Sequence, residues 1–370
     1  MADEYVEESD ETIINEIITE DEIEEIREMK IDIILLAGGT DGGNKEIITK
    51  NAKTLAEAKL NIPIVVAGNK VAVSEIRKIF NEAGIFYAIT ENVMPKLNSL
   101  NVEPAREEIR KIFMSKIVEA KGLKNAESFV NSILMPTPAA VLKAATYLSE
   151  GSDTEEGLGE LIVVDIGGAT TDVHSIATGD PSKPGVTLKG LEEPYAKRTV
   201  EGDLGMRYSA LSLWEAAGTR KVRKHLSNKE EDVKAGCLYR HNNIMMIPET
   251  QKEIDFDEAM AKVAVDMALE RHCGYVEPTY SPMGMVYSQY GKDLMDIKYI
   301  IGTGGVLVHS TNPKSILEAG VFTTENINSL KPRHPEFLLD GSYILSAMGL
   351  LCEDMPDVAV RIMKKYIKQL

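Results

Sequence analysis

The chain has 370 residues, 44% of them hydrophobic and 27% charged, with a formal net charge of −17. That length implies two domains or two large subdomains, and the acidic balance excludes non-specific binding to nucleic acid or to anionic membranes. Cys237, Cys273 and Cys352, with no C-x-x-C, fit reduced thiols in a cytoplasmic protein, and no apolar run reaches the roughly eighteen residues of a membrane span.

Residues 1–18 read as an acidic, disordered tail. Thr19-Glu20-Asp21-Glu22 has capping-box spacing and predicts a helix to about Met29. Residues 31–37 form a buried-strand run that leads into the glycine-rich turn 38–44, and a helical pattern follows from Ile47 to Ala56. Residues 62–67 are the next strand, ending in Gly68-Asn69. Strand, turn, helix and strand read as βαβ with a parallel sheet. Turns at the carboxyl ends of such strands either contact a ligand or pack helix on sheet, and both readings stay open for 38–44. Residues 103–149 are helix-rich, with Pro104 near the start of one helix and Pro136-Thr137-Pro138 before another over 139–148. The acidic, glycine-flanked stretch 151–159 is a candidate boundary. Residues 19–160 are therefore assigned to a first lobe and 161–370 to a second.

Residues 161–175, LIVVDIGGATTDVHS, form the most informative stretch. A buried strand ends in Asp165, breaks at Gly167-Gly168, presents Thr170 and Thr171, and returns through Asp172 and His174. The glycines let backbone N–H groups approach an anion, the hydroxyls suit phosphate oxygens, and a strand-end carboxylate can hold hydrated Mg²⁺ or orient water. The same glycines also suit a plain hairpin turn. Val186–Lys189 is expected to pair back on this hairpin. Helices are expected over 206–217, 219–235 and 256–271, and a strand over 297–301 ends in Gly302-Thr303-Gly304-Gly305. Asp340-Gly341-Ser342 opens an apolar helix over 343–351. Asp172 is expected to pair locally and His174 to be packed. No second His or Cys stands at zinc spacing, and Ser209 and Ser212 lack a nucleophile-elbow setting.

Neither glycine element is a Walker A or Rossmann motif, since the required lysine and helix are missing. The ordered set does resemble the actin, sugar-kinase and heat-shock-chaperone ATPase superfamily. It comprises D-x-G-G-x-T-x-D after a buried strand, E-G-D-x-G at 201–205, G-T-G-G at 302–305, and an Asp-led small-residue helix. More narrowly, LLAGGTDGGN, PIVVAGNKVA, TENVMPKLNSLNVEPAR, LMPTPAAVLKAA, VVDIGGATTDVHS and PYAKRTVEGDLGMRYSA resemble the MutL/GlmL family of glutamate mutase accessory proteins, from about Glu20 onward.

The resemblance implies a two-lobed α/β, ribonuclease-H-like actin-type ATPase fold. It also implies ATP or ADP with Mg²⁺ as ligands, and subunits of an adenosylcobalamin-dependent mutase as partners. Such a factor would use ATP to release damaged cobalamin. By position, Asp165 would act near Mg²⁺ and the hydrolytic water, and Gly167, Gly168, Thr170 and Thr171 would meet the β- and γ-phosphates. Gly302, Gly304 and Gly305 would lie on the adenosine side, with Gly202 and Asp340 as further carry-overs. The superfamily's first phosphate hairpin, D-x-G-x-T, does not occur before Ile31. The expectation is therefore a piece of a longer protein or an incomplete ATPase. The alternatives are a docking module of ATPase fold without turnover and a small-molecule kinase.

Overall fold

The computed structural model describes residues 17–29, 31–120, 135–281 and 284–370. Most of the expected acidic tail lies outside the described residues. The chain divides into two compact units, residues 1–133 and 134–370.

In the first unit, α1 (Glu20–Glu28) begins on the expected capping box: Thr19 Oγ1 accepts from Glu22 N at 3.3 Å, and Glu22 Oε2 accepts from Thr19 N at 2.7 Å. β1 (Ile34–Leu36), α2 (Glu46–Ala58), β2 (Ile64–Val66), α3 (Val73–Ala83) and β3 (Tyr87–Ile89) then alternate. The strands form a parallel sheet in the order β1-β2-β3, as helical crossovers require. Ile48, Ala52 and Leu55 of α2 and Ile76 and Phe80 of α3 recur at helical spacing and pack with Leu36, Ile64 and Val66. Gly84, at φ 69°, stops α3 in the left-handed conformation. α4 (Glu103–Ala120) follows, with Pro104 in its first turn.

The second unit opens with α5 (Thr137–Glu150), β4 (Leu161–Ile166), β5 (Thr171–Ile176), β6 (Val186–Lys189) and β7 (Ala196–Glu201). Three helices follow: α6 (Ala210–His225), α7 (Val233–Asn242) and α8 (Gln251–His272). After them come β8 (Tyr275–Ser281), β9 (Gly284–Tyr290), β10 (Tyr299–Thr303), α9 (Gly305–His309) and α10 (Pro313–Glu318). The unit ends with β11 (Glu336–Leu339), α11 (Leu345–Leu351), α12 (Pro356–Tyr366) and β12 (Lys368–Gln369). Six strands make one mixed sheet, in the order β12-β11-β10-β4-β5-β7. β4, β5 and β7 form an antiparallel meander, while β10 and β11 run parallel to β4.

Alternation along β4 splits its side chains between two cores. Ile162, Val164 and Ile166 pack with residues of α6 and α8. Leu161 and Val163 pack on the other face, with Ile301 and residues of α5, α11 and α12. The next residue of that second series is Asp165.

Several expectations change. The division falls at 133/134 and not at 160/161, because Val141, Ala144, Ala145 and Leu148 of α5 belong to the core under the six-stranded sheet. The stretch 151–159 is no boundary: Leu158 N donates to Leu148 O, and the hydroxyls of Ser152 and Thr154 donate to Asp357 at 2.5 and 2.7 Å. β6 does not pair with the β4–β5 hairpin but runs parallel to β9, in a separate sheet ordered β6-β9-β8. α6 extends to His225 across a break at Gly218, and the charged stretch after it is shared with α7.

Candidate functional site

The register of the sheet sets a row of polar groups at the end of β4. Asp165 stands opposite Asp172 on β5 and opposite Thr303 on β10. Thr303 Oγ1 donates to Asp340 Oδ2 at 3.2 Å, so the row reaches the residue after β11. Three of these groups are fully engaged. Asp172 Oδ1 accepts from Arg198 Nε and Nη2 at 3.0 and 2.8 Å, and its Oδ2 accepts from Thr170 Oγ1 at 2.9 Å. Asp340, with no exposed surface, accepts the N–H groups of Ile344 and Leu345 at 3.0 Å each, at the start of α11.

Asp165 is different. It is mostly buried, and among the described residues its carboxylate accepts no hydrogen bond. Burial first, then the neighbouring carboxylates of Asp172 and Asp340, push its pKa up to about 6, against the pull of Arg198. A buried carboxylate without a partner is costly for a fold and marks a site where charge is wanted. Mg²⁺ takes one or two carboxylates and otherwise keeps water or phosphate oxygens. Asp165 fits such a first ligand. No three His, Cys, Asp or Glu side chains among the described residues converge into an all-protein metal cage.

The two glycine turns meet at this carboxylate. Gly304 has φ 94°, and a Cβ there would lie 2.6 Å from Asp165 Oδ1 and 2.5 Å from Ile166 O. Only glycine lets the turn after β10 press against the end of β4. In the hairpin, Gly167 N donates to Thr170 O, while the N–H groups of Gly168 and Ala169 enter no hydrogen bond among the described residues. The turn after β7 backs the hairpin: Met206 N and Arg207 N donate to the carbonyls of Gly167 and Gly168, and Ser209 Oγ lies 2.6 Å from Ala169 O and 2.7 Å from Gly202 O.

Gly305 borders a cleft of about 390 Å³. Met246, Ile247 and Ile254 give it apolar walls, and Arg207 and Asp257 supply charge. An apolar cleft with few polar groups suits a small organic ligand. A larger basic depression of about 1100 Å³, lined by Arg220, Lys224 and Lys229, shares no residue with the row or this cleft.

The structure thus gathers Asp165, Gly167, Gly168, Thr170, Gly304 and Gly305. It leaves others outside the open surface. Thr171 is fully buried and its hydroxyl donates to Leu204 O at 2.8 Å. Gly302 sits inside β10, where a Cβ would lie 2.9 to 3.0 Å from Leu307 and Leu317. Gly202 has open space around it, whereas a Cβ at Gly205 would lie 2.3 Å from the Ala169 backbone. Gly205 is therefore the glycine that the E-G-D-x-G turn cannot replace. Glu201 and Asp203 of that turn are held by Arg271 of α8 at 2.7 Å. His174 is buried beside Asp172 and Arg198 with neither ring nitrogen partnered, and burial lowers its pKa to about 4. Cys237, Cys273 and Cys352 are free and buried. Among the described residues no helix is long and apolar enough to cross a membrane.

Sequence reading passed over Arg198, Arg207, Asp257 and Thr303. The string around Arg207, EGDLGMRYS, carried a signal, but nothing in it marks Asp257 as the arginine's partner.

Comparison with known proteins fits these motifs. The family model described as MutL protein matches residues 11–367. The chain is 69% identical over 350 residues to "Protein MutL" of Clostridium tetanomorphum, covering 95% of this chain and 76% of that protein. A match of this extent, running through both units and every element of the polar row, places the chain in the MutL family.

Proposed function

We propose that the second unit binds ATP or ADP with Mg²⁺. The chain would then serve as an ATP-dependent reactivating factor for an adenosylcobalamin-dependent mutase of the glutamate mutase type, in the cytoplasm. The observation that carries this reading is Asp165, an unpartnered and mostly buried carboxylate beside free backbone N–H groups. Family membership supports the mutase as the partner. The meander β4-β5-β7, extended by parallel β10 and β11, supports an actin-type fold.

In this reading Gly168 and Ala169 donate N–H groups to phosphate oxygens, as preorganised dipoles that need no reorganisation. The Thr170 hydroxyl stands beside them, oriented by Asp172. Mg²⁺, when bound, neutralises charge on the phosphates. Asp165 in its ionised form holds the hydrated ion and orients water. The cleft beside Gly305 receives the nucleoside. Hydrolysis then proceeds by positioning and charge stabilisation, with no covalent intermediate on the protein.

The test uses mutase loaded with an inactive cobalamin, and cobalamin release is followed by absorbance. Release that depends on this protein and on Mg·ATP, and that is lost with Asp165→Ala, is the expected result. Release indifferent to ATP and to Asp165→Ala overturns the ATP-driven role and leaves a docking function.

A further inference from the structure

Asp257 on α8 is shared by two arginines. Arg207 Nη2 donates to its Oδ2 at 2.7 Å, and Arg240 Nε donates to its Oδ1. The side chains of Arg207, Asp257 and Arg240 are only 13%, 11% and 3% exposed. One carboxylate against two guanidinium groups leaves a positive charge in a place that water barely reaches. The other acid on this wall, Glu258, is already paired with Lys262 at 3.2 Å. An uncompensated buried charge is costly, and it points to an anion that joins the site.

The two arginines are not equivalent. Arg240 is fixed by the carbonyls of Gly236 and Glu253, both at 3.0 Å, and lies 4.0 Å over the Phe256 ring. The Arg207 guanidinium is tied to Met206 O at 2.8 Å and to Met246 O at a longer 3.4 Å, and its side chain is more exposed than that of Arg240. If Arg207 leaves Asp257, the carboxylate keeps Arg240. Among the described residues, Arg207 is also the only Lys or Arg that lines the cleft beside Gly305. Its backbone N–H donates to Gly168 O at 2.8 Å and its Cβ and Cγ lie next to Gly168, so the side chain starts from the glycine hairpin.

We propose that Arg207 is a phosphate-binding residue, which exchanges Asp257 for a phosphate oxygen of the nucleotide in the cleft. The assignment rests on the nucleotide reading above. A guanidinium is suited to this exchange, since it meets carboxylate and phosphate with the same fork of donors.

Titration calorimetry with Mg·ADP and with adenosine, on wild type, Arg207→Met and Arg207→Lys, tests it. ADP affinity is expected to fall about tenfold or more in the Met variant and to return most of the way in the Lys variant, while adenosine binds all three alike. Asp257→Asn, which frees Arg207 without changing shape, is expected to tighten ADP by about threefold and leave adenosine unchanged; it serves alone if the Met variant does not fold. Unchanged ADP binding in Arg207→Met, a parallel loss of ADP and adenosine, or weaker ADP binding in Asp257→Asn overturns the assignment. Wild type that binds neither ligand removes the nucleotide reading itself. Wild type that binds ADP with variants that do not respond removes Arg207 alone.

Discussion

After β1, the turn 38–44 keeps Gly39 and Gly42 to Asn44 exposed, but its polar groups are tied down by hydrogen bonds. Asn69, with no exposed surface, accepts from Gly42 N and Val71 N and donates to the carbonyls of Gly43 and Asn44. Asp41 in the same turn accepts from Asn92 Nδ2 and Lys70 N, and these bonds, the first above all, hold its carboxyl below the ordinary range. After β4, the turn 167–170 follows an aspartate whose carboxyl is pushed the opposite way, up to about 6, because burial is not offset by any donor. Both turns are glycine-rich and both follow a sheet strand, though β1 buries only Leu36 and leaves Leu35 exposed, against the buried run expected over 31–37, whereas β4 is buried along nearly all its length. What separates them is satisfaction: one aspartate is held by donors from neighbouring loops, and the other has none. Glycine content alone does not distinguish a site from a support.

The largest effect is expected where the two turns of the second unit touch. Gly304→Val forces a Cβ onto Ile166 O and Asp165 at a positive φ. It should cost about 4 kcal/mol in urea unfolding and abolish ADP binding. Asn69→Ala removes a fully buried side chain that ties down four backbone groups, and should cost about 2 kcal/mol in the first unit. Its ADP affinity should match wild type, and a drop would break the contrast between scaffold and site.

Asp165→Asn should act in the opposite sense. The folded carboxyl keeps its proton to about pH 6, while an unperturbed one loses it near 3.8. Ionising it therefore costs the folded state stability, progressively between those two values. The variant should be more stable than wild type by about 1–2 kcal/mol at pH 8, with the gap closing as pH falls to 4. Thermal melts across that range check the sign; a gap that widens toward low pH would falsify it. The smallest effect belongs to Gly202→Ala, within about 0.5 kcal/mol of wild type, since no atom lies within 4 Å of the added methyl.

Much of the fold was legible because it is written locally. The box at Thr19, the proline-led starts of α4 and α5, and the apolar runs of β2 and β4 each depend on a few adjacent residues. The pairing of β6 with β9 was not legible, because it joins residues about a hundred positions apart and the intervening hairpin carries Pro278 and Gly284 in place of a clean alternation. The same holds within the site. The residue types at Thr170, Thr171 and Asp340 announce phosphate chemistry equally well. Only the packing decides that Thr171 turns to Leu204 and Asp340 to the α11 backbone, while Asp165 stays free. Arg207 and Asp257 are fifty residues apart and form one contact that no pattern in either segment announces.

The most direct test of Asp165 as the open ligand group is the Mg²⁺ dependence of ADP affinity in wild type and in Asp165→Asn. Wild type should lose about tenfold or more when Mg²⁺ is chelated, and the variant should bind ADP weakly and equally with or without the ion. Equal Mg²⁺ dependence in the two proteins would contradict the account, because the ion would then be held elsewhere.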